Sequence, residues 1–292
     1  MANLTAPGGT SKGFTRLGRS AERTIEELGP LADLIGTWIG SKGWELIAVP
    51  KVEGSEEGFT LIVRPYTEIV TFRPIGAPVP NRGGPAGDMT IYGLMYDMRI
   101  TDLETGEPLH LENGMWLNMS EVQGGSPPEQ PFARLACIPH GDTLLAVGTA
   151  STAAGPPQIP DTSALPESGP ETPLGYADVY QTQVDNFHPG TPNLVLQQAL
   201  EGLDVVSTTT LSVSTANGGG VVNVPFVSAN ANATTFQCDY WLETVADDSR
   251  AGQEVQQLQY SQQTNLEFIP QFGNPDELIV WPHVNVNTLR KQ

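Results

Sequence analysis

From Gly36 onward, apolar side chains return at every second position in one run after another, and a period of two admits little besides β-structure. The runs at 37–49, 58–74, 89–101, 108–120, 131–139 and 142–151 follow each other directly. Their connections are as short as DLETGEP (102–108) and HGD (140–142). Consecutive strands joined by tight turns are the signature of an antiparallel up-and-down meander. Further runs at 204–215, 220–227, 233–246, 254–264 and 278–289 bring the expected total to about eleven strands. The stretch VVSTTTLSVST (205–215) is rich in β-branched residues, which favour strands. GGGVVN at 218–223 reads as a hairpin turn and not as a phosphate cradle. Strand never alternates with helix here, so a parallel α/β sheet is disfavoured.

Two segments break the pattern. Residues 21–35 space Ile25, Leu28, Leu31 and Leu34 as a helix does, with Pro30 dividing it into two short turns. Residues 152–175 are Pro-rich and aperiodic, a long loop, and 191–203 return to helical spacing with Thr191 as N-cap and Pro192 as first helical residue. The expected organisation is a mobile arm over 1–20, then one β-barrel domain over 21–292 interrupted by an insertion at 152–203. Two half-barrels joined by that insertion are the alternative.

Charge and composition remove several functions. The formal net charge of −19 repels nucleic acid and anionic membranes. The N-terminal residues lack the apolar stretch of a signal peptide, and no apolar run approaches a membrane span, so a cytoplasmic protein is the expectation. Cys137 and Cys238 are too few for a disulfide framework and read as buried free thiols, with a single bridge between them the other option. No P-loop, GxGxxG after a strand, GxSxG, HExxH or EF-hand loop is present.

The chemistry then rests on four histidines. His110 stands two residues before Glu112, on the same strand face, where an imidazole beside a carboxylate suits acid–base work over a bound ligand or forms a plain surface pair. His140 lies in the IPHGD turn and His188 in NFHPG, both structural settings. His283 shares a strand face with Asn285 and Asn287, while Val284 and Val286 share the other. Alternation alone leaves open which face is inward.

Several motifs together resemble a known family. LADLIGTWIG (31–40) places Gly-x-Trp at the start of the first strand after a short helix, as in the calycin superfamily of ligand-binding barrels. The resemblance implies that Trp38 plugs the closed end and that Arg290, near the end of the last strand, packs over its ring. Within the calycins, GEPLHLENGMW (106–116) and WPHVNVNTLRK (281–291) are similar to the mid-barrel and terminal patterns of the nitrobindin-like haem-binding barrels. One departure is Val49-Pro50, where the family has Tyr-Pro, and the long insertion is another. The resemblance implies haem b bound through His283 as the single axial ligand of the iron. The residues themselves offer Trp38 and Trp281, aromatics in strands, as further cofactor-binding candidates and His110, beside Glu112, as the catalytic candidate. The resemblance also implies chemistry on peroxides or reactive nitrogen species, as a haem-dependent peroxidase or peroxynitrite isomerase. The residues admit two other readings: a non-catalytic carrier of a hydrophobic small molecule, or a structural, self-assembling β protein. A homo-oligomer is compatible with each.

Overall fold

The computed structural model describes residues 21–51, 58–167, 175–247 and 253–292; the expected N-terminal arm lies outside these. Eleven strands make one antiparallel sheet: β1 (Gly36–Pro50), β2 (Phe59–Pro74), β3 (Val79–Arg82), β4 (Asp88–Asp102), β5 (Pro108–Gln123), β6 (Phe132–Cys137), β7 (Asp142–Ala154), β8 (Val205–Asn223), β9 (Asn232–Asp247), β10 (Gln253–Gln271) and β11 (Asn274–Lys291). The sheet order runs β2-β1-β11-β10-β9-β8-β7-β6-β5-β4-β3, and β2 pairs again with β4. That pairing closes ten strands into a barrel and leaves β3 as a short flap on β4. Closure removes the exposed strand edges that an open sheet would present. Among the described residues, no helix is long and apolar enough to cross a membrane.

The structure departs from the periodicity reading in four places. The expected hairpin at 218–223 is instead a bulge inside the single strand β8. Ala146 pairs with Gly219 and Val147 with Ser214, so four residues are extruded between them. Gly218 and Gly219 make this possible, with φ of 144° and 101° that side-chain-bearing residues rarely adopt. The expected strand end at 224–227 is a short helix, α3 (Pro225–Asn230), with proline at its first turn. β3 was not apparent from the sequence, because its Pro80 confines it to an edge. The helix expected over 191–203 contracts to α2 (Leu194–Ala199), with Asn193 and not Thr191 at its N-cap position, where the Asn193 side chain bonds to the Pro160 carbonyl and Thr162 and not to the helix. The first helical region matches its pattern: α1 (Ala21–Leu28) gives way to a 3₁₀ segment, Gly29–Leu34, around Pro30.

Two apolar cores follow from the alternation. The inner one fills the barrel with Trp38, Phe72, Trp116, Tyr240 and their neighbours. The second lies on the outside of β1, β10 and β11, where Trp44, Leu46, Val284 and Val286 meet Phe187, Val195 and Leu196 of the insertion. The insertion is also tied down by polar contacts. Gln259 donates to the Leu196 carbonyl at 3.0 Å, and Glu167 exchanges backbone hydrogen bonds with Val280. Burying each large apolar side chain stabilises by about 1.5–3 kcal/mol, so this cover removes an otherwise wet hydrophobic face.

Trp38 closes one end of the barrel, fully buried, with its Nε1 donating to the Leu34 carbonyl at 2.8 Å. The cation over its ring is Lys291, whose Nζ lies 5.2 Å from the ring centroid, and not Arg290 as the family resemblance implied. Trp38 pairs with Lys291 across the β1–β11 seam while Ile39 pairs with Arg290, so register puts the lysine on the tryptophan's side. The cysteines are both unpaired; Cys238 is buried as expected, but Cys137, at the end of β6, is exposed.

Candidate cofactor site

The barrel opens at the end opposite Trp38, and the seam between β1 and β11 explains where. Its last paired residues are Leu46 and Val284. His283 is the first residue beyond, at the point where the two strands stop pairing. Because Val284 and Val286 are held outward by the insertion, His283, Asn285 and Asn287 face inward. The alternative left open by the sequence is thereby settled in favour of an inward polar face.

A cavity of about 380 Å³ occupies this end, within the range of small-molecule sites. Its walls are largely apolar, from Ile47, Val49, Ile138, Phe236 and Leu266, with Phe226 and Val227 of α3 at the mouth. His110, His140 and His283 all line it. The His110 and His140 rings meet edge to face with centroids 5.0 Å apart. His188 does not line this cavity, and neither do the two tryptophans. Trp38 sits at the closed end, and Trp281 stacks on Phe268 and against Phe59 in the outer core.

The His283 imidazole presents Nε2 as a buried atom with no hydrogen bond. Glu45 Oε1 is 3.3 Å from it without the alignment of a bond. Burial pushes the Glu45 carboxyl up, but His283 beside it pulls it below the usual range overall.

Beneath His110 lies a fully buried ionic group. His110 Nε2 is 3.1 Å from Glu112 Oε2, and Arg134 Nη2 donates to Glu112 Oε1 at 2.7 Å. Arg134 also donates to Tyr96 Oη, to Cys238 Sγ and, at 3.1 Å, to Gln262 Oε1, and Gln262 lines the cavity floor. Four aromatic rings, those of Tyr96, Trp116, Phe236 and Tyr240, surround the guanidinium at 5.3–5.9 Å. Burial disfavours both charges. The pairing outweighs it, holding Glu112 well below the carboxylate range and keeping Arg134 cationic. An ionised Glu112 can only accept, so the proton of this contact sits on His110 Nε2.

Deeper in the barrel a second polar group holds Glu68. Tyr260 Oη donates to Glu68 Oε2 at 2.6 Å and Asn287 Nδ2 at 2.8 Å, while Tyr66 and Tyr260 share a 2.8 Å bond. Burial dominates here and raises the Glu68 carboxyl to about 7.

The sequence brought His110 and His283 forward but missed His140, Glu45, Arg134 and Asp142. A signal existed for Arg134, a lone charge inside the apolar strand FARLAC (132–137), and for Glu45, a charge on the same face of β1 as Ile47 and Val49. His140 lies in a turn, and only closure of the barrel carries that turn to the cavity.

The site is thus a closed ten-stranded barrel, plugged at one end by tryptophan and open at the other onto a cavity of small-molecule size that contains an unbonded imidazole nitrogen. Residues 27–159 match the family model of the THAP4-like, heme-binding beta-barrel domain, just under half of the chain. The resemblance to nitrobindin-like haem barrels holds over that segment, which spans β1 to β7 and includes His110 and His140 but not His283. No curated protein matches the chain. Among solved structures, the chain is similar to the crystal structure of Rv2717c from M. tuberculosis, at 18% identity over 92% of this chain and 97% of that one, with a TM-score of 0.43.

Proposed function

We propose that the chain binds haem at the open end of the barrel, with His283 as the single protein ligand to the iron. The observation that carries this is the buried, unbonded Nε2 of His283 in an apolar-walled cavity, within a fold whose first half matches a haem-binding domain model. A neutral imidazole is the commonest protein ligand for haem iron, and one suffices when the macrocycle fills the equatorial positions. Bound there, haem b would supply an iron with one open face, suited to peroxides or nitrogen oxides.

The chain's own residues have distinct parts in this reading. The apolar walls exclude water and bury the macrocycle. Glu45 lies beside the ligating nitrogen, with its Oε1 3.3 Å from His283 Nε2, and places a carboxylate next to the iron ligand. Glu112, fixed by Arg134, holds His110 at the cavity wall; His110 is the acid–base candidate. Trp38 acts as the plug of the closed end.

The test is the visible spectrum of protein mixed with haem, for wild type and His283→Ala. A Soret band that is present in the wild type and lost or shifted in the variant supports the reading. A wild type that takes up no haem sinks it and leaves a carrier of another apolar molecule as the better account of the cavity.

A further inference from the structure

Asp142 opens β7 and lines the same cavity as the three histidines. It is 7% exposed, and its Oδ1 is buried with no hydrogen-bond partner. Ile138, Phe226, Val227 and Phe236 line the cavity with it. A carboxyl oxygen left bare in such surroundings is costly, and it gains a partner only from what occupies the cavity.

The charges around the cavity narrow the class of that occupant. Glu112 is ionised, but Arg134 neutralises it. Burial and then Glu112 push the Asp142 carboxyl up to about 6, against the pull of His283 and His110, so most of it is ionised at neutral pH. Burial and the neighbouring His110 lower the pKa of His140, which is therefore neutral there. Asp142 therefore brings an unpartnered acceptor and a negative charge to the wall, which repels an anion and receives a donor.

We propose that Asp142 is the hydrogen-bond acceptor for the ligand of this cavity, and that the ligand is a small neutral weak acid and not an anion. The proposal deepens the haem reading and rests on it for the position of the ligand.

Cyanide, present at pH 7 as neutral HCN, and azide, present as an anion, separate the two classes through the Soret shift each gives on haem-loaded protein. Asp142→Asn should slow HCN association and tighten azide binding, each by about tenfold or more, because HCN loses a charged acceptor for its proton and azide escapes the repulsion of an adjacent unit charge. An unchanged ratio between the two probes overturns the proposal. The haem-free chain gives an independent reading. At pH 7 Asp142→Asn should raise the melting temperature by a few degrees, because a poorly solvated carboxylate becomes a neutral amide. A lower melting temperature would show that the carboxylate holds a structural bond, and would overturn the proposal whether or not haem binds. Failure to take up haem counts against the reading above, and the melting temperature still decides the role of Asp142.

Discussion

Replacing Arg134 with methionine should cost far more than its volume suggests. The guanidinium and the Glu112 carboxylate are 0% and 1% exposed, joined by a 2.7 Å hydrogen bond. Charge centres roughly 4 Å apart attract by about 4 kcal/mol at an effective dielectric of about 20. Arg134→Met removes that attraction and leaves Glu112 charged in an aromatic interior, a change that typically destabilises by about 3–5 kcal/mol. The partner variant Glu112→Gln strands the guanidinium in the same way. The double variant Arg134→Met/Glu112→Gln removes both charges, and its loss should be at least about 2 kcal/mol smaller than the sum of the two singles. The assay is denaturant unfolding of the four proteins at pH 7, read as a double-mutant cycle. The pH dependence gives a second check. The folded Glu112 carboxyl lies well below its ordinary value of 4.5, so its contribution is present above pH 4.5 and is lost as pH falls through the folded value. That acid sensitivity should shrink in Arg134→Met. A loss below about 1 kcal/mol for Arg134→Met, or strict additivity in the cycle, would refute the claim that the pair is buried and coupled.

Other outcomes follow from the same geometry. Glu68 has the opposite sign to Glu112: its carboxyl rises from 4.5 to about 7 on folding, so stability falls as pH rises between those values, and Glu68→Gln should stabilise the protein at pH 8 by up to about 3 kcal/mol with little effect at pH 4, measured by unfolding at both. Gly43→Ala would drive its methyl into the Tyr66 ring, which its bonds to Tyr260 and to the Val286 carbonyl hold in place; a loss of about 1–3 kcal/mol is expected in thermal unfolding. Trp38→Ala should cost about 3–5 kcal/mol, whereas Lys291→Met, which removes the cation over the ring together with its hydrogen bonds to the Asp33 carbonyl and Gln256 Oε1, should cost about 1–3 kcal/mol.

Most of the barrel was legible because its residues alternate with so few interruptions. A run such as Gly36–Pro50 can bury one face only as a strand, and short turns leave it no neighbour but the next strand. The misreadings fall where backbone chemistry outweighs periodicity. Three consecutive glycines look like a turn, yet in β8 they buckle a continuing strand. Residues 265–277 show no clean alternation, and β10 and β11 nonetheless run through them to a two-residue turn at Phe272 and Gly273, supported by pairing with each other. The site was legible in part. His283 and His110 stood out because imidazoles are scarce and their neighbours matched a family pattern. Which way His283 points was not, since that depends on the insertion covering the Val284–Val286 face, a contact made by residues some 90 positions away in sequence. The Arg134–Glu112 pair, 22 residues apart, likewise forms through register between β5 and β6.

The central claim, that His283 holds haem iron, is tested most directly by the iron–histidine stretching band in the resonance Raman spectrum of the reduced, haem-loaded protein. The account predicts the band in wild type, its loss in His283→Gly, and its return when imidazole is added to that variant. A band that persists in His283→Gly without imidazole, or a wild type that binds haem and lacks the band, would contradict it.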